Sequence, residues 1–286
     1  MMGKSTTSRR RFLTASLLAA GPALTAGALP GLQTATQIKA GLKVVCIGGH
    51  PDDPESGCAG TLALYQELSN TSTIIYLTRG ERGIQGKSND EAAQIRSAEC
   101  EAACKVLGAK ARFAGQVDGS ADFTRARVDE LQRILADERP DVVFTHWPVD
   151  THMDHQVASM CTIRACLALK PRPELYFFEV NTGSQTLGFT PNHYVDITKT
   201  LEKKKASLFA HRSQNGEGIW KNHHEPIASW RGREAGCQAA EAFVRLNRDL
   251  SVWLPRTCRP FPLTQRKACR TRSSTLRELL HLAHGA

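Results

Sequence analysis

The sequence predicts an α/β fold, a single domain with a mostly parallel sheet and helices on both of its faces. Short apolar runs stand at 42–47 (LKVVCI), 73–77 (TIIYL) and 141–145 (DVVFT), as in strands that are buried on both faces. Stretches of about ten to fifteen residues with helical apolar spacing separate these runs. The sequence contains no internal repeat and no low-complexity linker, so one domain accounts for the whole pattern.

The elements alternate in order along the chain. The first run ends at Gly48 and Gly49 and a helix follows at 59–68, whereas the second run ends in a glycine-containing loop at 78–86. The helix at 90–107 has apolar residues at helical spacing and stops at Gly108. Further strands are expected at 111–114, 141–145, 174–179 and 194–197, and further helices at 128–136, 155–169, 199–210 and 234–246. Ligands bind beyond the carboxyl ends of the strands in such sheets, so the chemistry should lie after residues 47, 77, 114 and 145.

The net charge of +9 lies at the two ends of the 286-residue chain. Residues 1–28 hold four bases and no acid, residues 255–286 hold seven bases and one acid, and residues 29–254 hold 26 bases and 27 acids. The body therefore lacks the excess of positive charge that nucleic-acid binding requires. We expect no nucleic-acid partner, a folded domain at 29–254, and a weakly ordered basic tail at 255–286 that could contact an anionic envelope surface.

The N-terminal segment has the features of an export signal. The basic motif SRRRFL at 8–13 precedes an apolar stretch at 15–26 and a small-residue site, AGA, at 26–28. Its paired arginines resemble the twin-arginine signal of bacteria, which exports folded proteins. We therefore expect a periplasmic or extracellular protein whose mature chain begins at Leu29, with a short membrane anchor as the alternative.

The nine cysteines do not form a metal or redox motif. Their number is odd, their spacing is irregular and no CxxC pair occurs, which argues against a structural zinc ribbon or a thioredoxin-like centre. A protein that folds in the reducing cytoplasm before export is expected to keep most of them as small buried side chains.

Two clusters of imidazoles and carboxylates follow the first and fourth predicted strands. They read HPDDPE at 50–55 and HWPVDTHMDH at 146–155. A catalytic zinc site takes three protein ligands from His, Asp or Glu and leaves a position open for water, and two histidines with one carboxylate from these loops would suffice. The remaining groups would be free to transfer protons. Nucleotide-binding glycine motifs and a GxSxG nucleophile motif are absent from the sequence.

These motifs resemble a known family. GGHPDDPESGCAGTLA (48–63) and FTHWPVDTHMDHQVAS (144–159), with LTRGERGIQG (77–86), IRSAECEAACKVLGA (95–109), HRSQNGEG (211–218) and WRGREAGCQAAEAF (230–243), are similar to the LmbE-like, N-acetylglucosaminyl-phosphatidylinositol de-N-acetylase (PIG-L) family of zinc-dependent deacetylases. The resemblance spans about 42–243 and implies a Rossmann-like fold. Many members have HPDDE where this chain has HPDDP, a change that leaves the His-Pro-Asp-Asp core intact.

The resemblance implies a metal site and a general base. By motif position, the metal ligands would be His50, Asp53 and His155, and Asp52 would be the base that takes a proton from a metal-activated water. Zn²⁺ is the expected cofactor, although the same ligand types accept Fe²⁺ or Mn²⁺.

Four further residues receive roles from the same resemblance. His152, in protonated form, would polarise the substrate carbonyl and stabilise its oxyanion, and Asp154 would orient a neighbouring imidazole. Arg96 and Asp118 would bind substrate.

The implied reaction is hydrolysis of an N-acetyl group from an amino sugar or glycoconjugate, which releases acetate and a free amine. Two alternatives stay open. One is an amide hydrolase acting on a non-sugar N-acyl compound, and the other is a non-catalytic, metal-dependent carbohydrate-binding protein.

Overall fold

A computed structural model describes residues 39–246 of the chain. The predicted export signal at 1–28 and the predicted basic tail at 255–286 lie outside the described residues. The strands are β1 (Lys43–Gly48), β2 (Thr71–Tyr76), β3 (Lys110–Phe113), β4 (Val142–His146), β5 (Glu174–Phe178), β6 (His193–Asp196) and β7 (Ala240–Arg245). The helices are α1 (Asp53–Glu67), α2 (Asn89–Leu107), α3 (Arg125–Glu138), α4 (Met153–Ala168), α5 (Leu201–Phe209), α6 (Gly216–Ile219) and α7 (Glu225–Ala235).

The seven strands form one sheet in the order β3-β2-β1-β4-β5-β7-β6. The first five are parallel, with Val45 paired to Thr73 on one side and to Val143 on the other. β7 runs antiparallel to both of its neighbours. The prediction of an α/β fold with a mostly parallel sheet is confirmed. The strand order reverses between β1 and β4, so their carboxyl ends meet at the position where such sheets form a crevice.

Both faces of the sheet are covered by helices. Val44 and Cys46 of β1 pack into a core with α1 and α2, whereas Val45 and Ile47 pack into a second core with α3 and α4. Successive strand residues point to opposite faces, so a strand between two helical layers must be apolar at every position. This requirement explains the continuous apolar runs in the sequence.

The prediction of a helix at 234–246 is wrong. Helix α7 ends at Ala235 with Gly236 in the left-handed conformation, and the alanine-rich segment that follows is strand β7. Alanine and glutamate favour helices, but this segment hydrogen-bonds to strands on both sides, and such tertiary pairing overrides local propensity. Helix α1 also begins earlier than expected, at Asp53, with Pro54 in its first turn where proline is well tolerated.

The cysteines follow the expectation from composition. Six of the seven in the described range are buried, and Cys100 and Cys104 on α2 are free thiols. Within residues 39–246, no helix is both long enough and apolar enough to cross a membrane.

Candidate active site

The predicted site residues meet in one cavity at the carboxyl ends of the strands. The cavity has a volume of about 320 Å³. Seven of the eight residues line it, namely His50, Asp52, Asp53, Arg96, Asp118, His152 and His155. The eighth, Asp154, is fully buried behind them.

The turn between β1 and α1 sends adjacent carboxylates in different directions. Asp52 has a φ of 97°, a left-handed conformation that costs a non-glycine residue about 1–3 kcal/mol. Asp53 turns back along the chain, and its Oδ2 accepts a hydrogen bond from the backbone N–H of His50 at 2.7 Å. Gly49 makes room for the site, because a Cβ there would stand 3.0 Å from the His155 ring.

The geometry of the three predicted ligands fits a divalent metal. Asp53 Oδ2 lies 3.2 Å from His50 Nδ1 and 3.3 Å from His155 Nε2, and the two nitrogens lie 3.3 Å apart. Ligand atoms at tetrahedral positions with bonds of 2.0–2.1 Å stand about 3.4 Å from one another. Two imidazole nitrogens and one carboxylate oxygen are also a donor set that zinc accepts, so the residues suit such an ion.

Each of the two imidazoles is held from behind by a carboxylate. Asp154 Oδ2 lies 3.0 Å from His50 Nε2, and Asp150 Oδ1 lies 3.1 Å from His155 Nδ1. Carboxylates in this position fix the tautomer of a ligating histidine and raise its basicity. Asp154 is therefore placed for the orienting role assigned to it. The sequence patterns did not identify Asp150, although it lies within the motif HWPVDTHMDH at 146–155.

The electrostatics of the cluster favour a positive charge. Burial alone would raise the pKa of Asp53, but the neighbouring His155 imidazole holds it well below its usual range. Burial opposes a charge on His155 too, yet Asp53 and Asp150 raise the pKa of His155 to about 9. The carboxylates that stabilise a positive charge on His155 would attract a divalent cation in the same way.

His146 belongs to the support of the site. Its Nε2 accepts the backbone N–H of Gly49 at 3.0 Å and lies 3.3 Å from Asp53 Oδ2. Its ring stacks on His155 with centroids 4.1 Å apart. Burial and the neighbouring His155 lower the pKa of His146 to about 4. Because its Nε2 lone pair is occupied by Gly49, His146 positions the β1–α1 turn rather than adding a ligand. The sequence patterns did not identify His146 as a site residue, although its position at the end of β4 would have indicated it.

Asp52 is paired with a buried arginine. Arg96 is 3% exposed, and its Nη2 donates to Asp52 Oδ2 at 3.1 Å and to the carbonyl of Pro51. The loop after β2 closes over the guanidinium, since a Cβ at Gly80 or Gly83 would stand 2.7 Å or 2.3 Å from one of its nitrogens. Burial raises the pKa of Asp52 to about 6 in spite of the arginine.

His152 has the opposite charge preference to His155. Its Nδ1 accepts the backbone N–H of Asp154 at 3.2 Å at the start of α4. Burial and the neighbouring His50 and His155 lower the pKa of His152. A ring whose Nδ1 accepts a hydrogen bond carries its proton on Nε2, so this contact favours a neutral imidazole instead of the expected protonated form.

Asp118 stands on the loop after β3 at the edge of the same cluster. Its Oδ1 lies 3.3 Å from His50 Nε2, and its Oδ2 accepts the backbone N–H of Arg82 at 3.1 Å. Glu55, beyond the inserted Pro54, is fully buried and accepts a hydrogen bond from Tyr76 Oη at 2.5 Å. Asp118 therefore faces the site, whereas the Glu55 carboxylate is bound within the core.

Comparison with known proteins gives consistent matches. The chain is 30% identical over 217 residues to the diacetylchitobiose deacetylase of Thermococcus kodakarensis, covering 70% of this chain and 81% of that protein. The structure of an N,N′-diacetylchitobiose deacetylase from Pyrococcus horikoshii, complexed with its inhibitor MPG, matches with a TM-score of 0.63 at 27% identity, covering 72% of this chain and 84% of that chain. A 4-carboxy-2-hydroxymuconate hydratase from Pseudomonas putida matches with a TM-score of 0.64 at 21% identity, covering 77% and 100%, and shows the shared fold alone.

A family model agrees with these matches. The PIG-L model, described as GlcNAc-PI de-N-acetylase, matches residues 45–166, which include the histidine and aspartate clusters after β1 and β4. The chain is also 30% identical to a deacetylase and covers 81% of that protein's length. The chain therefore belongs to the PIG-L family, described as GlcNAc-PI de-N-acetylase.

Proposed function

We propose that this protein is a metal-dependent hydrolase that removes the N-acetyl group from an amino sugar or glycoconjugate. One observation carries the proposal, namely the convergence of His50 Nδ1, Asp53 Oδ2 and His155 Nε2 within 3.3 Å of one another, in a cavity that Asp52 and His152 also line. Membership of the family supports deacetylation of an N-acetylated, sugar-type substrate. Relatives named for diacetylchitobiose suggest that this substrate is an acetamido sugar.

His50, Asp53 and His155 would hold the metal ion. A divalent ion there would act as a Lewis acid on the acetamide carbonyl and would lower the pKa of a water molecule. Zinc is the expected ion, and Fe²⁺ or Mn²⁺ would suit the same ligands. Asp150 and Asp154 would keep the two imidazoles in the ligating tautomer.

Asp52 would act as the general base. Its carboxylate lines the cavity beside Asp53, so it can take a proton from the water that attacks the acetamide carbonyl. Returning that proton to the nitrogen breaks the C–N bond and yields acetate and a free amine. Arg96 restrains Asp52 through the 3.1 Å contact and keeps the carboxylate in one orientation. The two adjacent aspartates thereby divide metal binding from proton transfer.

His152 would stabilise the oxyanion. Because its Nδ1 is engaged by the Asp154 backbone, its Nε2–H is the donor left for the carbonyl oxygen as negative charge develops. A single preorganised donor of this kind contributes about 10²–10³ in kcat. A neutral donor also avoids placing a second full positive charge beside the metal ligands.

The two alternatives make different predictions. A non-sugar amide hydrolase would use the same residues on another N-acyl compound, and a carbohydrate-binding protein would hold metal and sugar without turnover. A base and an oxyanion donor beside the metal ligands favour catalysis, because binding alone requires neither. The hydratase neighbour shows that the fold itself does not decide the reaction.

A substrate panel tests the proposal. The metal-loaded protein would be incubated with N,N′-diacetylchitobiose, N-acetylglucosamine glycosides and N-acetyl amino acids, with acetate and free amine measured separately. We expect equimolar acetate and amine from the acetamido sugars. Release from N-acetyl amino acids only would support the non-sugar hydrolase, and metal and sugar binding without any release would overturn the enzymatic proposal.

The N-terminal and C-terminal segments lead to a proposal about location. We infer that residues 1–28 direct export by a twin-arginine route and that the basic tail at 255–286 contacts an anionic envelope surface. Cells that express the full chain or the variant Arg10→Lys/Arg11→Lys would be fractionated to test export, since the variant should stay in the cytoplasm.

Removal of 255–286 should reduce salt-sensitive binding to the envelope. Unchanged binding would contradict the inferred role of the tail.

A further inference from the structure

The loop after β2 and the loop after β3 are joined by a pair of reciprocal hydrogen bonds. Glu81 Oε2 accepts the backbone N–H of Asp118 at 3.1 Å, and Asp118 Oδ2 accepts the backbone N–H of Arg82 at 3.1 Å. Arg82 Nη1 also donates to the carbonyl of Gly119 at 3.2 Å. Each loop therefore supplies a carboxylate that binds a backbone N–H of the other loop.

The Glu81 carboxylate is itself held by its own loop. Its two oxygens share the backbone N–H of Arg79 at 3.2 and 3.3 Å. Thr78 Oγ1 donates to the carbonyl of Gly49 at 3.0 Å and accepts the N–H of Gly80 at 3.3 Å, which ties the start of this loop to the β1–α1 turn. A carboxylate is a stronger acceptor of backbone N–H groups than a neutral oxygen is, so Glu81 can fix a segment of the neighbouring loop.

The segment that Glu81 binds carries a residue of the cavity. Asp118 lines the cavity and its side chain keeps 11% exposure. Its Oδ1 lies 3.3 Å from Nε2 of His50, a predicted metal ligand. The next residue, Gly119, donates its N–H to Asp154 Oδ2 at 2.7 Å, and the same oxygen holds His50 at 3.0 Å. The backbone at 118–119 is therefore placed against the predicted metal site from two sides.

Glu81 is not among the described residues that line the cavity. Any effect that it has on a bound sugar must therefore pass through the residues it holds, and Asp118 is the one that faces the cavity. A carboxylate there accepts hydrogen bonds from the hydroxyl or N–H groups of a sugar. Such contacts work only when supporting groups hold them in place, and a displacement of about 1 Å can cost about 10²-fold in rate.

We propose that Glu81 is a positioning residue, which holds the backbone of Asp118 so that the Asp118 carboxylate contacts the acetamido sugar. This assignment rests on the proposed function and on the substrate contact predicted for Asp118. It concerns the binding of the sugar and leaves the bond-breaking steps to the residues around Asp52.

The test is a double-mutant cycle with two matched variants. Glu81→Ala removes the acceptor, and Glu81→Gln keeps a side-chain oxygen for the Asp118 N–H. Asp118→Ala would be made alone and together with Glu81→Ala. Glu138→Ala is the control, because Glu138 is also half-buried and also joins separate elements, through Thr73 and Arg112, without lining the cavity. Each protein would be assayed on N-acetylglucosamine glycosides with metal in excess, and kcat, KM and Tm would be determined separately.

We expect Glu81→Ala to raise KM about tenfold and to change kcat less than about threefold, because Asp118 binds the sugar without entering the bond-breaking steps. Glu81→Gln should restore most of the wild-type KM. Glu138→Ala should lower Tm and leave KM unchanged. In the Asp118→Ala background, Glu81→Ala should raise KM no further, because the contact that Glu81 positions is already gone.

Two results would overturn the assignment to Glu81 while leaving the proposed function intact. One is an unchanged KM in Glu81→Ala, and the other is a double variant in which the losses from Glu81→Ala and Asp118→Ala add in full. A wild type that releases no acetate from any acetamido sugar would overturn both proposals.

Discussion

Replacing Glu241 by glutamine should destabilise the protein by about 3–5 kcal/mol, the cost of removing one partner from a buried ion pair. The carboxylate is 5% exposed on β7. Its Oε1 accepts hydrogen bonds from Lys204 Nζ at 2.6 Å and from the backbone N–H of Gly60 at 2.9 Å. Its Oε2 accepts a hydrogen bond from the backbone N–H of Thr61 at 2.7 Å. Lys204 also donates to the carbonyl of Ser56 at 2.5 Å. This one carboxylate therefore joins β7, α1 and α5.

Glutamine keeps the shape but removes the charge and points an NH₂ group at existing donors. The buried Lys204 ammonium then lacks its counter-charge. For a domain of this size the loss corresponds to a fall of about 6–20 °C in Tm, and urea unfolding followed by circular dichroism measures it directly. Glu202→Gln is the matched control, because its pair with Lys205 at 3.2 Å is solvent-exposed and should contribute under 1 kcal/mol.

A double variant separates the charge from the shape. Lys204→Met combined with Glu241→Gln removes both charges and should recover part of the lost stability, since the unpaired ammonium is gone. If Glu241→Gln is no more destabilising than Glu202→Gln, the assignment of Glu241 as the carboxylate that joins three elements is incorrect.

Three further predictions concern the site and the sheet. Gly83→Ala should lower kcat, because the new Cβ would stand 2.3 Å from Arg96 and displace it from Asp52; steady-state kinetics would contradict this by showing an unchanged kcat. Asp150→Ala should weaken metal affinity about 10–100-fold by freeing His155, and chelator competition measures this, with wild-type affinity as the contrary result. Although burial would raise the pKa of Glu138, hydrogen bonds from neighbouring side chains hold it below its usual range. Glu138→Gln should therefore cost about 1 kcal/mol at neutral pH, a cost that shrinks as pH falls through the depressed pKa, and urea unfolding at neutral and acidic pH would contradict it by showing a constant difference.

The parallel part of the sheet could be predicted because burial on both faces makes a strand apolar at every position. The runs at 42–47 and 141–145 match β1 and β4 to within one residue at each end. β7 could not be predicted in this way, since its alanines and Glu241 have helical propensity. Its strand conformation depends on pairing with β5 and β6, contacts that are remote in sequence and that no local pattern encodes.

The candidate site, like the sheet, could be predicted from the sequence only in part. The clusters after β1 and β4 could be brought together from the sequence because parallel strands end at one edge, and the structure places His50, Asp53 and His155 within hydrogen-bond distance of one another. The role of Asp150 depends on an atomic contact with His155. An aspartate in a loop is common in any sequence, so only the geometry distinguishes it.

Metal content measured together with turnover tests most directly whether Asp53 binds the metal and the adjacent Asp52 acts as the base. Purified Asp52→Asn, Asp53→Asn and the exposed control Asp129→Asn would each be analysed for bound metal and for acetate release from N,N′-diacetylchitobiose. We expect Asp52→Asn to retain nearly wild-type metal with turnover abolished, Asp53→Asn to lose both, and Asp129→Asn to match wild type. Retained turnover in Asp52→Asn, or full metal content in Asp53→Asn, would contradict the assignment of base and ligand.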